Sequence, residues 1–386
     1  MESRLPKILF VTPDLRYGGT NSSLSNLFDS LKERYEIDVY SLYDKRIGDY
    51  SFSDRILHTD QFLYSYFGYI TDLSGWILIK VALRKILFRF LEVFGLNIKK
   101  RLFLHSINKL NINQYAVVIA FQEGAATEFV SMIGDIKKIA WIHCDYARYH
   151  LLIKRDEELI YNGFDRIVCV SEYTSQSFKN IYPSLSDKVI SIYNIYDKER
   201  AIQLAKDTID DFRFDTSTFT ILSVGRIDKV KRFSTIPWIA RKLYENNKKF
   251  KWYVIGNVVE EDEYRLLVKN IMENGMEDYV ILLGGKANPY PYFAKSDLFV
   301  STSSSEACPI VFLEAQTFNL PIVTTDFGSS YEFIVHGKNG YISSIERMER
   351  SIMDVMDGYL QYAPQEIINN NIIVKQLKQV INGLIL

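Results

Sequence analysis

The sequence predicts an α/β protein built from two doubly wound, Rossmann-like parallel sheets. Short runs of β-branched and other apolar residues recur along the 386 residues, and segments of helical length separate them. Runs of this kind suit strands that are buried on both faces, as in a parallel sheet covered by helices. The runs fall into two series, and a chain of this length accommodates two domains of ordinary size.

Six predicted strands lie in the first series and five in the second. Those of the first series are 8–11, 37–42, 116–121, 139–142, 167–170 and 189–192. Those of the second series are 219–224, 252–255, 280–283, 298–300 and 322–324. Each series is long enough for one doubly wound sheet.

A polar and charged stretch at 197–217 separates the two series and places the domain boundary near residue 200. We therefore expect an amino-terminal domain over 1–199 and a carboxyl-terminal domain over 200–360. The remaining residues, 361–386, carry an apolar helical repeat with no further strand. We expect this helix to pack back across both domains.

Charge and cysteine content narrow the class of protein. The chain has 46 Lys and Arg against 47 Asp and Glu, so no overall field attracts it to nucleic acid. Its cysteines, Cys144, Cys169 and Cys308, lie far apart without CxxC spacing, which is typical of reduced thiols in a cytoplasmic protein. The residues after Met1 lack the apolar stretch of a signal peptide, which predicts that the chain is not secreted.

A helical insert at 62–103 departs from ordinary α/β sequence. It is rich in Leu, Ile, Phe and Trp, yet between positions 80 and 101 it carries seven Lys or Arg and a single acid, Glu92. These charges, with Asp72 and Gly75, interrupt the run of about 20 apolar residues that a spanning helix needs. A basic amphipathic helix over 76–101 would instead lie in the headgroup region of an anionic membrane. The alternative is an insert that packs on the core with solvated lysines.

Two carboxylates stand eight positions apart in the segment 304–315. Glu306 is expected in a loop, and Glu314 about one turn into a helix opened by Pro309. The backbone N–H groups of Ile310 and Val311 at that helix start favour an anion such as a diphosphate. The carboxylates would then contact ribose and hexose hydroxyls rather than phosphate. The alternative is a pair of helix-capping acids.

Two further loops in the sequence suit a phosphate ligand. A predicted strand runs into Gly225 and a basic loop, in which Arg226 and Lys231 can converge on one pair of phosphates. Gly18 and Gly19 follow the first strand and would let the backbone approach a ligand closely. The alternatives are a solvated basic turn and a purely structural glycine turn.

Polar residues also end two strands of the first half. His143 closes one predicted strand and is followed by Asp145, and Glu123 ends another. Ligands of open parallel sheets gather beyond the carboxyl ends of the strands. We therefore expect His143, Glu123 and Asp145 to lie near a ligand at this edge of the sheet. The alternative for His143 is a packed or capping residue.

Through these motifs the sequence resembles the retaining glycosyltransferases of the GT-B fold known as family 4, which include bacterial capsule and exopolysaccharide enzymes. The resemblance runs over almost the whole chain. Its most specific carrier is the pair Glu306 and Glu314 with Arg226 and Lys231 upstream. The other motifs that carry it are Gly18-Gly19, Trp141-Ile142-His143, 167–171, 288–292, 296–300 and 336–340.

The resemblance implies two Rossmann-like domains that face each other across a cleft, and retaining transfer of a hexose from a nucleotide-diphosphate sugar. In it, Arg226 and Lys231 hold the donor diphosphate, Glu314 holds the ribose hydroxyls and Glu306 holds the transferred sugar. The nucleobase would meet the loop 284–287, with Gly284 and Lys286. The resemblance also implies that His143 donates a hydrogen bond to a sugar hydroxyl and that Glu123 and Asp145 lie on the acceptor side. No cofactor or metal is expected, because protein cations and helix-end amides would stabilise the leaving diphosphate and the sequence shows no cluster with metal-ligand spacing.

The resemblance also implies partners and a location. The donor is expected to be a UDP- or GDP-sugar, the acceptor a lipid-linked saccharide, and the location the cytoplasm or the inner face of the plasma membrane. The chain departs from the family at Ala307-Cys308-Pro309, where glycine is usual, and at Ile195, where Asn-Gly is frequent. The alternatives are a nucleotide-sugar epimerase of the same fold and a non-catalytic partner subunit of a transferase.

Overall fold

The computed structural model of the protein describes residues 5–16, 18–43, 50–68, 73–210, 214–215, 217–365 and 368–385. The chain divides into two compact units, Met1–Ile195 with Asn370–Leu386 (unit 1) and Tyr196–Asn369 (unit 2). Three sequence expectations fall partly outside the described residues: the start of the chain, the stretch 69–72 of the insert, and 211–213 with 216 in the expected linker.

Unit 1 is built around a seven-stranded parallel sheet in the order β3-β2-β1-β4-β5-β6-β7. Its central strands consist of apolar residues such as Ile8 to Val11, which are fully buried because helices cover both faces of the sheet. The strands are β1 Lys7–Thr12, β2 Glu36–Ser41, β3 Ile56–Leu57, β4 Val117–Ala120, β5 Lys137–Ile142, β6 Arg166–Cys169 and β7 Val189–Ser191.

Within the described residues of unit 1, eight α-helices precede the second unit. Several begin at the side-chain caps that the sequence supplies, as where Asn97 accepts from the Lys100 N–H and Ser171 from the Thr174 N–H. The helices are α1 Gly19–Leu31, α2 Gln61–Phe67, α3 Gly75–Val93, α4 Ile98–Lys109, α5 Ala125–Ser131, α6 Tyr146–Ile153, α7 Glu158–Asn162 and α8 Glu172–Ile181.

Unit 2 is a six-stranded parallel sheet in the order β10-β9-β8-β11-β12-β13. Its strands are β8 Phe219–Val224, β9 Phe250–Ile255, β10 Val280–Gly284, β11 Leu298–Ser301, β12 Ile322–Thr325 and β13 Gly340–Ser343. Its helices are α9 Lys198–Leu204, α10 Ile236–Glu245, α11 Glu261–Glu273, α12 Tyr290–Phe293, α13 Ile310–Thr317, α14 Ser330–Phe333 and α15 Met348–Met356.

The carboxyl-terminal helix, α16 (Asn370–Ile385), belongs to unit 1. It buries Ile373, Leu377 and Ile381, which lie four residues apart on one face of the helix. Tyr35 Oη donates a hydrogen bond to Asn382 Oδ1 over 2.7 Å.

The order of the strands reverses at one point in each sheet, and this point determines where a ligand can bind. The strand order reverses between β1 and β4 in unit 1 and between β8 and β11 in unit 2. Both orders are of Rossmann type, so the two Rossmann-like parallel-sheet domains predicted from the sequence are confirmed. Ligands of such sheets bind beyond the carboxyl ends of the strands beside the reversal.

Candidate active site

The densest group of predicted functional residues lies in unit 2, where β8 and β11 are neighbours. The chain leaves β8 through residues 225–232 (the β8 loop) and leaves β11 through residues 302–309 (the β11 loop). Because the two strands are parallel and adjacent, both loops emerge at the same edge of the sheet. Arg226 and Lys231 lie in the first loop, and Glu306 lies in the second.

Hydrogen bonds join the two loops. The Ser304 N–H donates to the Val230 carbonyl over 2.8 Å, and Thr302 Oγ1 donates to the Lys231 carbonyl over 2.7 Å. Arg232 adopts a left-handed backbone conformation with φ 52°, and its Nε donates to the Thr302 carbonyl over 2.9 Å. The two loops therefore form one scaffold that fixes the backbone beneath Lys231.

The turn of the β8 loop is organised by Asp228. This residue is 4% exposed, and its Oδ1 accepts from the Val230 and Lys231 N–H groups, both at 3.0 Å. Its other oxygen lies 3.2 Å from Arg226 Nε, while the Arg226 side chain is 59% exposed. Asp228 thus anchors the lysine backbone and orients the arginine. The anchoring role of Asp228 was not predicted from the sequence, although an acid within a Gly-Arg-x-Asp turn could have indicated it.

Lys231 and Glu306 form an ion pair within the scaffold. Their side chains are 14% and 17% exposed, and Lys231 Nζ contacts Glu306 Oε1. The same carboxylate oxygen accepts from Ser303 Oγ over 2.7 Å. A Cβ at Gly225 would lie 3.1 Å from Lys231 Cε, so the glycine leaves room for the lysine stem. The structure therefore brings together two of the predicted residues and adds Ser303, which sequence analysis missed.

Helix α13 begins immediately after the β11 loop. Pro309 precedes its first residue and carries no N–H group, so Ile310 and Val311 provide the first amides of the helix. No residue of its first turn is acidic. The amino end of a helix carries partial positive charge and donor groups, which favours an anion there.

Glu314 lies on α13, four residues after its start. Its carboxylate is half-buried and accepts a hydrogen bond from Tyr290 Oη over 3.3 Å. Burial raises the pKa of Glu314 to about 7, while the Tyr290 hydrogen bond and the charge of Lys231 act in the opposite direction. Tyr290 begins α12, and its N–H donates to Asn288 Oδ1 over 3.1 Å. Sequence analysis assigned no role to Tyr290.

The raised pKa of Glu314 predicts a pH-dependent contribution to stability. An acid whose pKa is higher in the folded state stabilises the fold in its neutral form. That stabilisation is complete below pH 4.5, the ordinary value, and is lost as the pH rises to about 7. The change amounts to about 3 kcal/mol at about 1.4 kcal/mol per pKa unit.

We expect Glu314→Gln to remove this dependence. Urea unfolding measured between pH 4.5 and 7 should show the wild type losing stability relative to the variant as the pH rises. Parallel stability profiles for the two proteins would contradict the assignment.

Gly284 is the last residue of β10, an edge strand of the unit 2 sheet, and Lys286 lies two residues beyond it. Gly284 has φ +68°, a conformation that glycine adopts at little cost. Lys286 Nζ lies 5.9 Å from the centre of the Tyr292 ring. Gly284 and Lys286 therefore lie at the end of β10, whereas Lys231 and Glu306 lie in the loops that follow β8 and β11.

In unit 1, the structure brings His143 and Glu123 together. They follow the neighbouring strands β5 and β4, and the His143 N–H donates to Glu123 Oε2 over 2.9 Å. The His143 ring lies 4.6 Å from the Phe121 ring, and burial lowers its pKa to about 3, so the imidazole is neutral. Among the described residues, His143 Nε2 is buried without a hydrogen-bond partner. Burial also raises the pKa of Glu123.

Asp145 and the glycine pair occupy helix starts in unit 1. Asp145 caps α6, where it accepts from the Arg148 N–H over 3.4 Å and from Tyr173 Oη over 3.3 Å. Gly18 and Gly19 are exposed at the start of α1, directly beyond β1. Within the described ranges, no group of three or more His, Cys, Asp or Glu is arranged to hold a metal ion.

Comparison with known proteins finds a family model that matches most of unit 2. Residues 206–371 match the family model of glycosyl transferases group 1. Spore coat protein SA of Bacillus subtilis is 23% identical over 347 residues, which is 86% of this chain and 82% of that protein. The N-acetylgalactosamine-N,N'-diacetylbacillosaminyl-diphospho-undecaprenol 4-alpha-N-acetylgalactosaminyltransferase of Campylobacter jejuni is 30% identical over 174 residues, or 44% of each protein. The match to this transferase therefore spans about half of its length.

A solved structure shares the fold over nearly the whole chain. Anabaena Alr3699/HepE, crystallised with UDP and glucose, superposes with a TM-score of 0.71 at 17% identity, covering 98% of this chain and 100% of that one. This likeness confirms the GT-B fold class that the sequence resemblance implied.

Proposed function

Because residues 206–371 match the family model of glycosyl transferases group 1, we propose that the chain is a glycosyltransferase that uses a nucleotide-diphosphate sugar. The observation that carries this proposal is the half-buried pair of Lys231 in the β8 loop and Glu306 in the β11 loop, which leads into α13. A cation, a carboxylate and helix-end amides are the groups that a sugar diphosphate needs at its reacting end.

Lys231, Arg226 and the α13 amides would stabilise the leaving diphosphate. When the bond between the anomeric carbon and the phosphate oxygen breaks, negative charge grows on that oxygen. Lys231 is held by its backbone and by Glu306, so it needs little reorganisation to meet this charge. Arg226 is largely exposed and would close on the second phosphate as the donor binds.

Glu306 and Glu314 would bind the hydroxyls of the donor. Glu306 pairs with Lys231 and would accept from hydroxyls of the transferred sugar. Glu314 would accept from the ribose hydroxyls, and two such donors favour the ionised form of a carboxylate whose pKa stands at about 7. Gly284 and Lys286 would line the nucleobase. In unit 1, Gly18 and Gly19 would approach the donor, and Asp145 and Glu123 would lie on the acceptor side.

His143 would act on the sugar. Its neutral ring, with one buried nitrogen that has no hydrogen-bond partner among the described residues, suits a hydrogen bond to a sugar hydroxyl. A charged ring would not suit this environment, because burial opposes protonation.

We further propose that the chain is a retaining hexosyltransferase of family 4 and that it needs no metal or other cofactor. The acceptor oxygen would attack the face of the sugar from which the diphosphate departs, forming the new glycosidic bond as the old one breaks. The proton of the acceptor hydroxyl would pass to the departing phosphate oxygen. NMR of the product anomer tests this step, and the inverted anomer would refute it.

The donor is proposed to be a UDP- or GDP-sugar, and the acceptor a lipid-linked saccharide of a bacterial surface polysaccharide. The Anabaena structure contains UDP and glucose, and the Campylobacter relative is named for an undecaprenol-linked acceptor. The reaction would then take place in the cytoplasm at the inner face of the plasma membrane.

A thermal-shift screen against UDP, GDP, ADP and their sugars tests the proposed function. A nucleotide at 100 times its Kd stabilises the native state by about 2.7 kcal/mol. We expect one base to raise the Tm and the matching nucleotide sugar to be consumed when a saccharide acceptor is added. A chain that no nucleotide stabilises would not be a nucleotide-sugar transferase. Consumption of the donor without an acceptor would instead indicate an epimerase or a hydrolase.

A further inference from the structure

Helix α3 buries very little of its apolar surface. It runs over 19 residues, Gly75–Val93, and only Val81 is buried. The helix packs against α2 and α4. On the side that faces α2, Lys85 Nζ donates to the Tyr66 carbonyl and Arg84 Nη1 to Ser65 Oγ, both over 3.4 Å.

The opposite side of α3 is apolar and exposed. At about 100° per residue, seven of the eight exposed large apolar side chains of α3, all except Ile77, form one stripe of about 120° centred about 180° from Val81. Each of them is between 49% and 85% exposed. We call this stripe the outer face of α3; it consists of Trp76, Ile79, Leu83, Ile86, Leu87, Phe90 and Val93.

The outer face is larger than an ordinary exposed apolar patch. It extends from Trp76 to Val93, about 26 Å along the helix at 1.5 Å per residue. These two end residues are 85% and 84% exposed. Contiguous apolar surfaces of this size on soluble proteins mark contacts with a partner or a membrane.

Positive charge borders the outer face. By helical position, Lys80 and Arg84 flank one edge, and Arg89, which is 77% exposed, flanks the other. Three more basic residues, 99–101, follow in the first turn of α4. Glu92 is the single acid between positions 80 and 101, and it is engaged by Arg89 and by Tyr66 Oη. The surface around the outer face therefore carries a net positive charge.

We propose that the outer face of α3 binds the surface of an anionic membrane, with the helix axis parallel to the bilayer. The aromatic and aliphatic side chains would enter the headgroup boundary, and the flanking basic side chains would contact lipid phosphates. Among the described residues, no helix has the length and apolar character needed to cross a bilayer. A second copy of the chain fits less well, because its basic edges would face the same basic edges.

Vesicle co-sedimentation of the full chain tests this surface. The wild type should bind vesicles that contain phosphatidylglycerol more strongly than vesicles of phosphatidylcholine alone, and added salt should weaken the binding. Leu83→Glu, at the centre of the outer face, should lower the partition coefficient by about tenfold or more, as expected when a leucine side chain no longer inserts and a negative charge is added.

Met272→Glu is the matched control. Met272 is 63% exposed on α11 in unit 2, so the substitution has the same chemistry on another surface and should leave vesicle binding unchanged. Trp76 provides a direct reading of insertion, because its emission should shift to shorter wavelength on anionic vesicles and Trp76→Phe should remove that shift.

Three results would overturn the proposal. The first is that Leu83→Glu binds vesicles as strongly as the wild type, and the second is that the wild type binds neutral and anionic vesicles equally. The third is that the wild type forms a concentration-dependent dimer that the Leu83→Glu substitution dissociates. The inference does not rest on sugar transfer, since nucleotide-induced shifts in Tm should be the same in Leu83→Glu and the wild type. If no nucleotide shifts the Tm of the wild type, that result would count against the proposed function and not against membrane binding.

Discussion

Replacing Lys231 with methionine is expected to lower kcat/KM for sugar transfer by about 10²–10³-fold, the usual cost of removing one preorganised group that stabilises developing charge. Methionine keeps most of the stem that packs against Gly225 but loses the ammonium group. Because the charge on the leaving diphosphate is greatest in the transition state, kcat should fall more than nucleotide affinity. Steady-state kinetics together with calorimetric titration of the nucleoside diphosphate separate these two effects.

The Lys231 variant also leaves the Glu306 carboxylate without its cation. Both side chains are less than 20% exposed, so this loss should cost about 1–3 kcal/mol of stability. The double variant Lys231→Met with Glu306→Gln removes both charges and should recover much of that stability without recovering activity. Lys229→Met is the matched control, since Lys229 lies in the same loop, is 71% exposed and pairs with Glu260 at 3.8 Å. Transfer at the wild-type rate by Lys231→Met would remove this lysine from the mechanism.

Glu306→Gln is expected to lower kcat by about 10²-fold while leaving nucleoside diphosphate affinity at or above the wild-type value. Glutamine retains an acceptor for Ser303 Oγ but loses the charge that would meet the sugar hydroxyls. The same substitution weakens the hold on Lys231, so the ammonium can turn more fully to the phosphates. The change therefore separates contacts to the sugar from contacts to the diphosphate.

Glu260→Gln serves as the control for this second variant. Glu260 pairs with Lys229 at 3.8 Å on the surface of the same unit, and its side chain is 39% exposed. Its neutralisation should leave both kcat and affinity unchanged, because exposed ion pairs contribute little. If Glu306→Gln instead loses nucleotide affinity in proportion to kcat, Glu306 acts by holding Lys231 and does not contact the transferred sugar.

Much of the fold was predictable because buried parallel strands leave a clear sequence pattern. The apolar runs at 8–11 and 219–224 correspond to β1 and β8, and each sits at the centre of its sheet. Two edge strands were missed, β3 with two residues and β13 with four residues beginning at Gly340. Short edge strands carry little apolar periodicity, since one side of each has no neighbouring strand. Their pairing with β2 and β12 defines them.

The candidate site was also predicted only in part from the sequence. Sequence and resemblance together indicated Lys231 and Glu306, but their contact across 75 positions depends on β8 and β11 being neighbours. Asp228, Ser303 and Tyr290 were missed, because their importance lies in hydrogen bonds to residues whose position only the folded chain sets. The same holds for the helical insert at 62–103. Its basic and apolar composition could be read from the sequence, but which side of the helix is exposed could not.

The sequence by itself determined that the chain forms two parallel α/β sheets, because strand burial and helix periodicity are local patterns that any fold of this chain must satisfy. Only the tertiary structure decided which loops meet, which carboxylate holds Lys231 and which side of α3 lacks a covering layer. These properties depend on strand order and helix packing, which join residues far apart in the chain and leave no local pattern.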